Sequence, residues 1–194
     1  MSARATKTTY HHGDLRRALV ANALALLETR VDGDVSLREV ARSSGVSATA
    51  VYRHFPDKDA LYAALAAEGF ERLADAQEAA AAHLADRLAA FRASGRAYVH
   101  FALANPALFR LMSSCMHLAG ATPDDSATRG NRARRLLLEH VAALMPAASE
   151  AERMVTVVQA WALVHGLAVL MLGGQIPPDA GLIEAAVADF RPGT

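Results

Sequence analysis

The sequence predicts an all-α fold, with a small N-terminal three-helix domain joined by a long helix to a larger C-terminal helical domain. Two observations carry this. Apolar residues recur at spacings of three and four along nearly the whole chain, and no window alternates apolar and polar residues as a strand would. The composition, 53% hydrophobic and 21% charged over 194 residues, is that of a globular chain able to bury a core.

The elements follow from the breaks. A first helix over roughly Gly13 to Thr29 sets Leu15, Leu19, Ala23 and Leu26 on one stripe, with Arg16 and Arg17 opposite. Asp32-Gly33-Asp34 closes it, Ser44-Gly45 makes a tight turn, and Phe55-Pro56 ends a short helix. A long helix then runs from Asp57 to about Leu84, its second half carrying the featureless run Ala79 to Ala82. Asn105-Pro106, the polar stretch Gly120 to Gly130, Met145-Pro146 and Gly173 to Pro178 divide the remainder. About nine helices result. The domains are expected at 10–75 and 80–194, with the boundary inside a helix.

The most informative segment is SLREVARSSGVSATAVYRHFPDK, Ser36 to Lys58. Ser36 and Glu39 form a capping box that starts a helix sharply. Leu37, Val40 and Ala41 share one face. Gly45 falls where a short turn tends to need positive φ, and Ser47 can cap the helix that follows. Val51 is the apolar anchor of that helix. A small residue, a glycine and a buried aliphatic at 41, 45 and 51 have the spacing of a DNA-binding helix-turn-helix. An ordinary helical hairpin explains Leu37, Val40 and Val51 equally well. It does not explain Thr49, Tyr52, Arg53 and His54, which crowd hydrogen-bonding groups onto the other face. Such groups suit phosphates and base edges.

Over Tyr10 to about Leu73 the chain resembles the DNA-binding domain of the TetR family of bacterial repressors. The matching stretches are YHHGDLRRAL, SLREVARSSGVS and VYRHFPDKDALYAAL. The remainder is similar to the helical regulatory domain called WHG, on Ala104 with Pro106 to Met112 and on WALVHG, Trp161 to Gly166. The resemblance implies that Tyr52 contacts a phosphate or base edge, that His54 reaches the backbone, and that Lys58 touches phosphate from a helix start. Ser47, Ala48 and Thr49 occupy the exposed start of the recognition helix. Ala48 and Ala50 depart from the polar residues often found there, which leaves base selectivity to Thr49, Tyr52 and Arg53 or to DNA shape. Arg4 and Lys7 form either a minor-groove arm or a solvated tail. Up to Tyr62 there are nine Lys and Arg against seven Asp and Glu, a small surplus that makes affinity depend on dimerisation. The implied partners are a double-stranded, palindromic DNA operator, a small-molecule effector and a second copy of the chain. The implied function is repression relieved by an apolar effector, and the chain is not expected to be an enzyme.

In the C-terminal part, Asn105 is expected to cap, and Pro106 to open, a helix aligning Leu108, Leu111, Met112, Cys115 and Leu118. Phe101, Phe109, Met112, Met116, Trp161 and His165 are the expected lining of an apolar effector cavity, though each also suits a plain core. Met154 to Pro178 carries no residue of formal charge except His165 when protonated. A helix apolar nearly all round must be covered on both sides. Ala162, Gly166 and Leu170 are therefore the expected dimer seam.

Alternatives stay open at this point. Met154 to Leu172 is close to membrane-spanning length, but Thr156, Gln159 and His165 interrupt it, and a capping box, Ser149 with Glu152, precedes it. His100, His117, His140 and His165 with Cys115 raise a metal-responsive variant, yet no ligand spacing links them; no metal and no cofactor are expected. One cysteine forms no internal disulfide, and Met1 to Tyr10 lacks the apolar stretch of a signal peptide. A cytoplasmic protein with no membrane partner is the expectation.

Overall fold

The computed structural model describes residues 12–30, 34–118 and 131–193. Among them are nine helices and no strand: α1 (His12–Glu28), α2 (Leu37–Ser43), α3 (Ala48–Tyr52), α4 (Lys58–Ala81), α5 (Arg87–Ala104), α6 (Pro106–Leu118), α7 (Asn131–Leu144), α8 (Glu150–Leu172) and α9 (Ala180–Asp189). The stretch Gly120 to Gly130, the residues Arg4 and Lys7, and the side chains of Met116 and His117 lie outside what is described. The chain divides into two compact units, residues 1–65 and 66–194, which meet inside α4. The boundary expected from sequence lies further along the same helix.

In the first unit, α1 buries Leu19, Val20, Ala23, Leu24 and Leu27. That stripe is rotated from the expected one, since Leu15 and Leu26 are only half-buried. Two adjacent leucines at 26 and 27 fit the period equally, and only packing decides between them. α2 starts at the expected capping box: the Ser36 hydroxyl accepts the Glu39 amide at 3.3 Å, and Glu39 accepts the Ser36 amide at 3.0 Å. Leu37, Val40 and Ala41 are its buried face. Gly45 turns the chain with φ of +66°, the left-handed conformation expected there. Val51, Phe55, Leu61 and Leu65 complete this core, each no more than 1% exposed.

In the second unit α5 is central, in contact with α6, α7, α8 and α9. It can serve four neighbours because Phe91, Ser94, Tyr98, Phe101 and Ala102 are buried on several sides of it. Phe91, Val141, Val157 and Ala160 form one buried cluster, flanked by Leu137, Leu138, Leu144 and Phe190. A second capping box, Ser149 with Glu152, starts α8 as the sequence indicated. Arg132, in the first turn of α7, grips three carboxylates of α4. It donates to Asp75 at 2.6 Å and Glu71 at 3.3 Å, and it pairs through two nitrogens with Glu78. These acids lie at i, i+4 and i+7, one face of the helix, so a single guanidinium reaches all of them.

Asn105 departs from expectation. Its side chain donates to the Phe101 carbonyl at 2.9 Å and closes α5 instead of capping α6. Pro106 still opens α6, having no N–H to satisfy.

Candidate nucleic-acid interface

The candidate site is built on α2, the Gly45 turn and α3. The Ser47 hydroxyl accepts the Ala50 amide at 3.2 Å and fixes where α3 begins. Val51 points into the core with no exposure. The side chains flanking it consequently face out: Ser47, Thr49 and Arg53 are exposed, and Tyr52 keeps 45% of its surface exposed. His54 is half-buried at the end of the helix.

The scaffold beneath is braced at two points. Asn22 of α1 donates to the Ser44 hydroxyl at 2.9 Å, tying α1 to the turn. Phe55 is buried under the Arg16 guanidinium, 5.1 Å from the ring centroid. Arg30 pairs with Glu39, so the capping box is anchored to the end of α1 as well.

Lys58 is the first residue of α4, and the Asp57 carboxylate accepts the Ala60 amide at 2.7 Å to cap that helix. Its ammonium group therefore stands at a helix N-terminus, where an anion is favoured. It is not a free cation. It pairs with Asp34 and lies 5.1 Å from the centroid of the Tyr62 ring. Tyr62 donates to Asp34 at 2.8 Å and accepts the Val35 amide at 3.0 Å. The hydrogen bond to Asp34 raises the Lys58 pKa above its ordinary value, and the bonds from Lys58 and Tyr62 lower that of Asp34. Lys58 is thus charged and already oriented, and a phosphate would share it with Asp34. Tyr62 lies four residues after Lys58, so its place on the same helix face was visible in sequence; Asp34 was not, because a loop residue carries no periodicity.

The residues expected to line an effector cavity are scattered. Phe101, Phe109 and Met112 are buried, whereas Trp161 is 40% exposed. His165 is half-buried and joins three rings, with centroid distances of 5.6 Å to Phe109, 6.0 Å to Trp161 and 6.3 Å to Tyr98. Tyr98, which the sequence reading missed, shares a hydrogen bond with His165 Nδ1 at 2.9 Å. Burial pushes the Tyr98 hydroxyl up to about 12, so it stays protonated. Its signal in the sequence was one polar tip on the apolar stripe of α5. Met112 lies elsewhere, against Gly69 of α4. Ala162 and Leu170 of the expected seam are exposed, and Gly166 is half-exposed. Among the described residues no group of three His, Cys, Asp or Glu side chains is placed to hold a metal.

A capped turn, a glycine at positive φ, and a short helix with a buried aliphatic and a hydrogen-bonding outer face define a helix-turn-helix DNA-binding protein. Residues 19–65 match the family model for bacterial regulatory proteins of the tetR family, and residues 91–190 match the tetracyclin repressor-like C-terminal domain. The chain belongs to the TetR family of transcriptional regulators. It is similar to a solved structure from Rhodococcus sp. RHA1 described as a protein of unknown function, with 36% identity over 94% of each chain and a TM-score of 0.75. The fold is shared with a TetR family regulator from Marinobacter aquaeolei VT8, at 20% identity over 89% of this chain and 91% of that one, TM-score 0.66. It is shared too with a tetR-family regulator from Streptomyces coelicolor, at 23% identity over 90% and 79%, TM-score 0.67. The family accounts for DNA binding, for dimerisation and for the absence of an enzymatic role. α8 is long and apolar enough by composition to cross a membrane; in this family fold it is a helix of the regulatory domain.

Proposed function

We propose that the chain is a cytoplasmic repressor that binds a palindromic operator as a homodimer and is released by a small apolar effector. On this reading residues 10–75 bind DNA and residues 80–194 regulate. The observation that carries it is the outer face of α3, where Thr49, Tyr52 and Arg53 are exposed opposite a fully buried Val51. Thr49 and Arg53 read base edges, Tyr52 and Ser47 contact the backbone, His54 supports them, and Lys58 binds a phosphate at the start of α4. Ala48 and Ala50 offer no polar atoms, so selectivity falls on few side chains and on DNA shape.

Dimerisation uses the exposed face of α8. Met154, Val155, Val158, Trp161, Val169 and Leu170 keep between 38% and 57% of their surface uncovered. Covering the rest of six such side chains contributes about 1 kcal/mol each. Two chains together gain about 12 kcal/mol, comparable with the 4–15 kcal/mol cost of association. Ala162 and Gly166 allow close approach, and beyond the local α8 backbone nothing described lies within 4 Å of where a Gly166 side chain would begin. The effector is held by Phe101 and Phe109, with His165, itself bonded to Tyr98, and Trp161 at the boundary with the seam.

A gel shift on the DNA upstream of the chain's own coding region tests the proposal. The complex is expected to weaken steeply with salt, and Tyr52→Ala is expected to lower affinity about tenfold, the low end of about 1.5–3 kcal/mol for a hydrogen bond to a charged group. A complex insensitive to both would refute it.

A further inference from the structure

Lys58 makes the phosphate contact at the start of α4, yet its ammonium group already has an anionic partner in the Asp34 carboxylate. Asp34 is itself fixed. The Tyr62 hydroxyl donates to it at 2.8 Å, and the same oxygen accepts the amide of the next residue, Val35, at 3.0 Å. Tyr62 stands one turn after Lys58 on α4, and its ring centroid lies 5.1 Å from the Lys58 nitrogen. An exposed ion pair is ordinarily loose, because two side chains must be ordered to make it. Here Tyr62 holds the carboxylate by a hydrogen bond and the ammonium group by its ring face, so both ends are placed in advance. The pair is not what holds the fold: its side chains keep 48% and 58% of their surface exposed, while Val51, Phe55, Leu61 and Leu65 form the buried core of this unit. Asp57 and Asp59 also flank Lys58 in sequence. Three carboxylates therefore accompany one cation at a point meant to grip a polyanion.

We propose that Asp34 is an internal competitor for the DNA phosphate, a positioning residue that acts through Lys58 and attenuates the grip of the N-terminal unit on DNA; this rests on the regulator reading above. A carboxylate oxygen and a phosphate oxygen are the same kind of acceptor for an ammonium N–H. The duplex must therefore draw Lys58 away from Asp34 or share it, and in both cases part of the contact is offset. A cation already neutralised by its own chain also gains less from counterion release than a free one. The Tyr62 hydroxyl keeps the carboxylate in place while Lys58 turns, so the competition persists in the complex. Phosphates carry no sequence information. The attenuation consequently falls alike on operator and on other DNA, setting overall affinity and leaving discrimination to α3.

The test compares Asp34→Asn, Lys58→Ala and the double variant in the full-length chain. Affinity is measured by gel shift at fixed salt, on the upstream DNA and on a scrambled duplex of the same length, beside melting temperature. Asparagine keeps a carbonyl that accepts the Tyr62 hydroxyl but carries no charge. Asp34→Asn is expected to melt within about 3 °C of the wild type, as suits an exposed pair. It is expected to bind both duplexes about tenfold more tightly, roughly threefold from each chain of a dimer, which is the size of an exposed ion pair. In the Lys58→Ala background the same substitution is expected to change affinity less than about twofold. That contrast isolates the role: a carboxylate that only repels DNA at a distance gives the same gain with or without Lys58. An unchanged or weakened complex in Asp34→Asn overturns the proposal, the weakened one showing that Asp34 serves to hold the loop. Equal gains in the two backgrounds overturn it as well, and so does a gain confined to one duplex. A wild-type chain that binds neither duplex brings down the regulator reading instead.

Discussion

α3 and α8 each present a side that their own chain does not cover, and the two sides are chemical opposites. On α3 and at its C-terminal cap the large uncovered residues are Thr49, Tyr52 and Arg53, each with a hydrogen-bonding group, beside the exposed methyl of Ala48. On α8 the large ones are Met154, Val155, Val158, Trp161, Val169 and Leu170, and the polar groups among them are the indole N–H and the amide of exposed Gln159. The core contacts do not distinguish the two helices, since Val51 and Val157 are equally at home inside. What differs is the partner each face suits. Donors around a lone aromatic suit a hydrated polyanion whose contacts weaken with salt. A charge-free apolar stripe suits another apolar stripe, and the simplest source is the same stripe on a second copy. The lesson is that an uncovered face identifies its partner by chemistry, while the buried face only says that the helix folds.

The comparison breaks most completely at the α8 face. Ala162→Arg places an uncompensated charge midway along the stripe, at an exposed position where the isolated chain tolerates it. Sedimentation is expected to show monomers, and operator affinity is expected to fall by about 100-fold or more, because linking two half-site contacts is worth 10² to 10⁴. A dimer that persists with intact DNA binding would move the seam elsewhere.

The α3 side is sharpened by a smaller effect at Lys58. Lys58→Ala is expected to weaken binding alike on specific and scrambled DNA. The slope of log affinity against log salt is expected to shrink by about 1.8, one phosphate from each of two chains. An unchanged slope would mean that Lys58 remains with Asp34 and never meets DNA.

These faces were unequally legible in the sequence. Both capping boxes, Ser36 with Glu39 and Ser149 with Glu152, were readable because a cap is local: the residues that make it lie three apart. The Gly45 turn was readable for the same reason. The outer face of α3 followed once Val51 was known to point inward. Contacts between elements distant in the chain were not readable. Gly69 against Met112, Tyr98 with His165, and Arg132 with its three carboxylates join residues 43, 67 and 54 to 61 positions apart, and periodicity carries no information on which stripes meet. Asn105 was misread because asparagine serves a helix end and a helix start with the same amide, and the choice was made by the Phe101 carbonyl. The candidate cavity residues were legible only as large and apolar, which is why Phe109 and Met112, neighbours on α6, have different partners.

The smallest effect concerns the frame that holds α3 rather than its face. Glu39 is lowered from the ordinary 4.5 to about 2, first by the Ser36 hydroxyl and amide and then by Arg30. A carboxylate whose pKa is depressed by folding contributes stability above its unfolded value, and that contribution is lost as pH falls from about 4.5 toward 2. Glu39→Gln can still reach back to the Ser36 amide but does not titrate. The melting temperature of the wild type is therefore expected to exceed that of Glu39→Gln at pH 6, with the gap narrowing as the pH is lowered to about 2.5. The remaining carboxylates, Glu152 in the matching box of α8 included, titrate in both proteins and cancel in the difference. A gap of a degree or two is the expected size, since both partners of the Arg30 pair are partly exposed. If it stays constant across the acid range, Glu39 is held as a hydrogen-bond acceptor alone and its charge does not contribute to fixing the start of α2.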